Sequence, residues 1–307
     1  MLSIRTVLVF LILLAGPATL QAAPRVVATI LPIQSIAARI MQGVGQVGLL
    51  LPATVSPHDF SLRPSQRRQL EQADLILWAG PELEGFMPKV LASLPPRTRS
   101  LALLDACCPE PATERHHHHD RDPHFWLDPR ASIRAARAIA TTLQHMDPAN
   151  AERYRHNLAD FVARAEALER ELRETLRPLQ GRHLVTWHDA YGRFARRFGL
   201  DIVATVALDA HRPPGARHVR DLRRMMQSGA VDCLYREAQF RPRLIDELIA
   251  GTSVHTGQLD PLGAGLKPGP DAWAQLLRRL AGQFLACREG SSDRQPLPQH
   301  QTPDHDQ

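Results

Sequence analysis

The chain has 307 residues, 44% of them hydrophobic and 22% charged, a balance that excludes global disorder and leaves room for two domains. Its formal charge of +5 raises nucleic-acid binding as an option. Lys89 and Lys267 are the only lysines, however, and the arginines are interspersed with acids along helix-like segments, the pattern of a solvated surface.

The chain opens with Arg5, an apolar run from Val7 to Ala15, a Gly16-Pro17 break and then small residues. That order is the grammar of a secretory leader over residues 1–22, and the run is short for a lasting anchor. Cleavage after Ala22 is expected because Pro24 makes a poor first residue, and with no cysteine at the junction no lipid attachment is expected. The mature chain is expected in the periplasm, for a Gram-negative source.

From Arg25 short apolar runs alternate with amphipathic stretches. Strands are predicted at Val26 to Ile30, Val47 to Pro52 and Leu75 to Gly80, with helices around Ser35 to Gln42 and Pro64 to Ala73. The alternation predicts parallel βαβ units covered on both faces, an N-terminal α/β lobe over 23–146. Within it the stretch 112–122 carries four consecutive histidines, His116, His117, His118 and His119.

Residues 147–178 read as one long helix. Asp147 suits an N-cap and Pro148 a first turn, while Tyr154, Leu158, Phe161, Ala165, Leu168, Leu172 and Leu176 keep a three-or-four spacing. Roughly 30 residues at about 1.5 Å each make a rod of about 45 Å, a rigid connection between two lobes. Alternation resumes over 179–288 as a second α/β lobe with strands at His183 to Trp187, Leu200 to Leu208, Val231 to Glu237 and Ser253 to Asp260. A closing helix is predicted from Asp271 to Cys287, and the polar, Pro-rich tail 289–307 reads as disordered. The fold class is α/β: two lobes, each a mostly parallel sheet flanked by helices, joined by one long helix.

The four cysteines suit an oxidising compartment. Cys107 and Cys108 are adjacent, and neighbours seldom bridge without strain. Cys233 and Cys287 each sit beside a predicted C-terminal element, and a bridge between them would tie the last helix to the second lobe.

Ligands of open parallel sheets bind beyond the carboxyl ends of strands. His58 follows the second strand, His188 follows the strand at His183 to Trp187, Asp260 ends the last strand, and His124 precedes the helix that starts near Pro129. Each belongs to a different βα unit, two per lobe, so facing lobes would bring three imidazoles and a carboxylate onto one ion. That set suits Zn²⁺; manganese favours harder oxygen donors, and copper would have to be excluded by geometry and availability. Zinc binding by imidazole should weaken below about pH 6.5.

Four stretches carry a family resemblance: HDFSLRPSQRRQLEQADLILWAGPELEGFM, DPHFWLDP, VTWHDAYGRFARRFGL and GQLDPLG. In this order they resemble the zinc-uptake substrate-binding proteins of bacterial ABC importers, the ZnuA-like family, across nearly the whole mature chain. The resemblance implies two lobes with a helical linker, a cleft zinc site on His58, His124 and His188, and delivery to a membrane permease served by a cytoplasmic ATPase. It implies that a histidine at the third place, rather than glutamate, marks a zinc-type member. The family's common disulfide would fall on Cys233 and Cys287. Some relatives carry glutamate just before the first ligand histidine, where this chain has Pro57. The fourth position then falls to Asp260, with water as the alternative.

His116 to His119 stand mid-chain among polar residues, so they read as a native loop and an auxiliary weak metal trap rather than a purification tag. Vicinal Cys107 and Cys108 add either a soft auxiliary site or nothing. The expected function is a monomeric zinc receptor, with a periplasmic zinc store or chaperone, or a manganese- or copper-binding receptor of the same fold, as the alternatives. An enzyme is not expected: His116, His118 and Asp120 match part of an HxHxDH signature, but its next place is Arg121, and no HExxH helix occurs.

Overall fold

The chain builds the same parallel sheet twice. A computed structural model describes residues 22–109, 121–207, 214–237 and 243–287. Strands β1 (Val26–Ala28), β2 (Val47–Leu49), β3 (Leu75–Trp78) and β4 (Arg99–Ala102) form one sheet in the order β2-β1-β3-β4. Strands β5 (His183–Thr186), β6 (Asp201–Thr205), β7 (Cys233–Glu237) and β8 (His255–Leu259) form the other in the equivalent order β6-β5-β7-β8. Every pairing is parallel.

Helices α1 (Leu31–Ile40), α2 (Pro64–Gln72), α3 (Met87–Leu91), α4 (Leu103–Cys107) and α5 (Pro129–Met146) belong to the first lobe. Helix α6 (Ala151–Leu176) follows, and α7 (Gly192–Phe198), α8 (Ala216–Gln227), α9 (Arg243–Ile249) and α10 (Ala272–Ala286) complete the second. Every strand prediction ran past the observed strand by one or more residues, because apolar character continues into the flanking segments. Strand β4 was not predicted at all: its Arg99 and Ser100 are exposed, as befits an edge strand.

Alternation along the second sheet is two-sided. Leu184, Cys233 and Tyr235 face the interior shared with α10, whereas Val185 and Leu234 face α8 and α9. Gly257 on β8 has no side chain because the Tyr235 ring lies where a Cβ would sit, 2.7 Å away. That approach lets the Tyr235 hydroxyl donate to the carbonyl of Phe284 on α10, 2.7 Å distant. The Cys233–Cys287 disulfide fastens the same helix to β7, as predicted.

The long helix differs from the expected rod. A 3₁₀ turn, Pro148–Asn150, precedes it, and the Asp147 carboxylate accepts from Asn150 and from the Tyr154 hydroxyl rather than capping the α-helix. Its 26 residues span about 39 Å. It joins the lobes as expected, with Tyr154, Phe161, Ala165, Leu168, Leu172 and Leu176 buried against both halves. One continuous apolar core runs from the first sheet through α1, α5 and α6 into α10 and the inner face of the second sheet.

Polar contacts reinforce this seam. Trp126 donates its indole N–H to Pro261 O, and Trp273 donates its own to Trp126 O, both at 2.8 Å. Ser35 Oγ accepts from the Trp273 amide, and Arg39 pairs with Asp271. Each buried aromatic removes roughly 150–250 Å² from water, worth about 4–6 kcal/mol as an upper figure.

At the carboxyl ends of β1 and β3, Glu84 is fully buried. It accepts from the Thr29 hydroxyl and from the amides of Ala79 and Gly80. Burial pushes its pKa up to about 7, against the downward pull of those hydrogen bonds. The folded chain therefore keeps a proton that the unfolded chain releases from about pH 4.5 upward. Stability attributable to Glu84 should fall by about 3 kcal/mol as the pH rises from about 5 to 8. Urea unfolding of the wild type and Glu84→Gln at both pH values checks this; equal slopes in the two proteins would refute it. Removing both Cys233 and Cys287, which close a loop spanning 54 positions, should cost about 2–4 kcal/mol in the same assay.

Candidate metal centre

Both sheets point the carboxyl ends of their strands at a common cleft, and three histidines meet there. One ring nitrogen each from His58, His124 and His188 lies within 4.8 Å of the other two. Ring centroids are 5.5 Å apart for His58 and His124, 6.0 Å for His58 and His188, and 5.4 Å for His124 and His188. His124 and His188 are buried and His58 is partly exposed. A tetrahedral ion with bonds of about 2.1 Å sets ligand nitrogens about 3.4 Å apart. Small side-chain rotations therefore close the set around one cation. The cleft between them offers about 20 Å³, room for one water-sized body.

Each histidine arrives differently. His58 hangs on the loop between β2 and α2, beside Pro57, which constrains the approach without offering a donor atom. His188 follows β5 after Trp187. His124 starts the 3₁₀ turn Phe125–Leu127, which leads into α5 where Asp128 caps the helix by accepting from the Arg130 amide. Arg197 of α7 then clamps both Asp128 oxygens, at 2.8 and 3.0 Å.

Two of the rings are held by carboxylates. His188 Nδ1 lies 2.7 Å from Glu237 Oε1, and His124 Nδ1 lies 2.9 Å from Asp122 Oδ1. An ionised carboxylate only accepts, so each Nδ1 donates and each Nε2 lone pair is left for a cation. Burial alone would raise the Asp122 pKa, but hydrogen bonds from the His124 ring and amide, and the Arg193 charge, hold it below the usual carboxylate value. Tyr191 packs edge-on to His188 at 6.3 Å. Burial, together with the Glu237 and Asp260 charges, pushes its phenol pKa well up and keeps it neutral.

His188 and Glu237 stand at the ends of β5 and β7, the switch point of the second sheet's strand order. In the first sheet the same place, beyond β1 and β3, is taken by the Thr29–Glu84 pair. Glu237 was legible by the strand-end rule that selected His188, since it closes the run VDCLYRE. Asp122 left only a faint sign, a carboxylate two residues before a histidine.

Asp260 is not part of the three-histidine group. Its Oδ1 accepts from the amides of Leu262 and Gly263 and its Oδ2 from that of Ala264. It caps the turn whose Pro261 and Leu262 wall the cleft. His116 to His119 lie outside the described residues, as do the leader up to residue 21 and the tail. Cys107 and Cys108 are free thiols.

Comparison with known proteins shows the family. The family model "Zinc-uptake complex component A periplasmic" matches residues 26–287. The chain is 33% identical over 301 residues to the high-affinity zinc uptake system protein ZnuA of Yersinia pestis, covering 90% of this chain and 94% of that one. It is 36% identical over 302 residues to ZnuA of Paracoccus denitrificans, covering 86% and 91%. Among solved structures, a crystal structure of ZnuA superposes with a TM-score of 0.73 at 26% identity, covering 86% of this chain and 98% of that one. A zinc-bound ZnuA deletion mutant also superposes with a TM-score of 0.73 at 26% identity, covering 86% and 97%. The manganese-bound protein FpvC of Pseudomonas aeruginosa, at 22% identity and a TM-score of 0.75, shares the fold. The chain belongs to the ZnuA family, the periplasmic component A of zinc-uptake complexes.

Proposed function

We propose that this chain is a periplasmic zinc receptor: it captures one Zn²⁺ on His58, His124 and His188 and delivers it to the membrane permease of an ABC importer. The observation that carries this reading is the meeting of three imidazoles in one cleft, two of them held by carboxylates. Three neutral nitrogens suit borderline-soft Zn²⁺, and the nearby charges of Asp122 and Glu237 offset those of the ion. A receptor needs binding and release, and membership of the zinc-uptake family supports that role over catalysis.

Delivery fits the continuous core across the seam, which resists wide separation of the lobes. Release then depends on moving ligand-bearing loops, above all that of the partly exposed His58, rather than on a large hinge. A periplasmic location is supported by the family and by the leader-like order of residues 1–22, and among the described residues no helix is long and apolar enough to cross a membrane. We assign Asp260 the capping of the cleft-wall turn, and leave the fourth coordination position to a water molecule.

Calorimetric titration of metal-stripped protein should show one tight zinc per chain and much weaker manganese. His188→Ala should abolish the tight phase, and Glu237→Gln should weaken it by about 10–100-fold while retaining one-to-one stoichiometry. Several equivalent weak sites, or a His188→Ala protein that still binds tightly, would overturn the proposal. Affinity should also fall on acidification, because protons and zinc compete for the same nitrogen.

Asp260→Asn separates the two roles open to that residue. As a turn cap it should cost about 1–3 kcal/mol in urea unfolding, with zinc affinity changed by less than about tenfold. Loss of tight binding from a fully folded variant would instead make Asp260 a ligand.

A further inference from the structure

Cys107 and Cys108 are the reactive groups that the zinc site leaves unused. They lie at the end of α4, with Sγ atoms 2.7 Å apart. Cys107 is fully buried and Cys108 half-buried. Two arginines converge on the outer sulfur: Arg134 of α5 places Nη2 3.9 Å from Cys108 Sγ, and Arg193 of α7 places Nη1 3.6 Å from it. The backbone is gripped as well. Arg134 donates to Cys107 O, and Arg121 donates to Leu104 O at 2.6 Å and to Cys108 O at 2.5 Å.

Arg193 belongs to the second lobe, and its guanidinium reaches Cys108 and Asp122 of the first. Besides the sulfur, it donates twice to Asp122 O, at 3.0 and 2.9 Å, and its Nε lies 3.7 Å from Asp122 Oδ2. The other Asp122 oxygen holds His124 Nδ1. A contact chain therefore runs from a sulfur, through one guanidinium and one carboxylate, to a ring of the metal centre.

We propose that Cys107 and Cys108 form a dithiol–disulfide switch that tunes the metal centre through Arg193 and Asp122. A second zinc or copper site at this pair is disfavoured, since two guanidinium groups repel a cation and stabilise a thiolate. The Cys107 thiol and the arginines hold the Cys108 pKa below the ordinary thiol value, while the hydrogen bond to Cys108 and burial push that of Cys107 up. This is a division between an attacking and a resolving sulfur.

The chemistry is exchange with a protein disulfide, the oxidant class of an oxidising compartment. The Cys108 thiolate attacks one sulfur of that disulfide, forming a mixed disulfide and expelling the other sulfur as thiolate. Cys107 gives its proton to the expelled thiolate and attacks the Cys108 sulfur, expelling the second. Two electrons pass to the partner, which leaves as one thiol and one thiolate, and the chain keeps a Cys107–Cys108 bond. A bond between adjacent residues is strained and so readily reduced, as a reversible switch requires.

Closure removes the negative charge that Arg193 shares between the sulfur and Asp122. The guanidinium then draws more strongly on Asp122, weakening that residue's hold on His124. Zinc binding in the oxidised form becomes weaker by about three- to tenfold, below the roughly 10–100-fold of losing such a partner outright. This coupling rests on the zinc reading proposed above; the thiol exchange does not.

The test uses the mature chain with Cys233–Cys287 intact, equilibrated in glutathione buffers of graded potential and quenched with an alkylating mass tag. The peptide bearing Cys107 and Cys108 should lose both tags together and become two hydrogens lighter, while Cys233–Cys287 stays closed. Chelator competition for zinc on the two forms should show the oxidised one about three- to tenfold weaker. Cys108→Ser, and separately Cys107→Ser, should bind zinc alike in both buffers. Arg193→Gln should still form the bond, with zinc affinity no longer following the potential. Persistence of both tags wherever Cys233–Cys287 is closed, or equal zinc affinity in the two wild-type forms, overturns the proposal. Loss of tight zinc binding in both forms would sink the zinc reading and the coupling together, with the tag count still deciding the thiol chemistry.

Discussion

Three imidazoles carried by two sheets can share one cation only while those sheets keep a fixed relation, and a continuous apolar core supplies that constraint. Helix α10 belongs to the second lobe yet buries Trp273 among residues of the first, and the disulfide and the Tyr235 hydroxyl bind it to β7. Trp126 sits in the middle of this seam. Its indole reaches Pro261 in the cleft wall, its carbonyl receives Trp273, and its ring packs against His124 at 5.2 Å. Core packing and ligand placement thus meet in one residue. Close-packed interiors transmit displacement rather than absorb it, so the metal centre inherits the rigidity of the seam.

Repetition of the sheet makes the asymmetry of the site informative. Both sheets have the same strand order, so both offer a crevice where crossovers diverge. The first fills its crevice with the Thr29–Glu84 pair, a closed hydrogen-bonded unit. The second keeps a histidine oriented by a glutamate. A buried glutamate that satisfies backbone amides braces a loop, whereas one that accepts from an imidazole leaves a lone pair aimed at the cleft. Identical topology thus gives a brace in one lobe and a ligand holder in the other.

Much of the fold was legible because both kinds of element bury apolar surface at their own period. Tyr154, Phe161, Ala165 and Leu168 kept helical spacing and are all buried. Strand β4 escaped notice because an edge strand with two exposed residues carries little apolar signal. The long helix was read as a rigid connection between two lobes, but its packing against both was not legible, since periodicity reports a buried stripe without saying what covers it. Among site residues, His58, His124 and His188 could be named from their places at strand and helix ends. Asp260 was placed on the ion by the same rule, yet its carboxylate is engaged by three amides of the turn that follows. That engagement is local backbone geometry, which a strand-end rule does not see.

By itself, then, the sequence determined the kind of chemistry available: imidazoles in separate βα units, a pair of distant cysteines, and alternating elements that can form only covered parallel sheets. These follow from residue type and period, which are properties of the chain. The tertiary structure alone decided which carboxylates hold which rings, that Asp260 accepts from the amides of the turn after β8, and that Arg193 links a thiol pair to the metal centre. Hydrogen bonds between residues tens of positions apart depend on distances of a few ångströms, and those are set only when two lobes pack against each other.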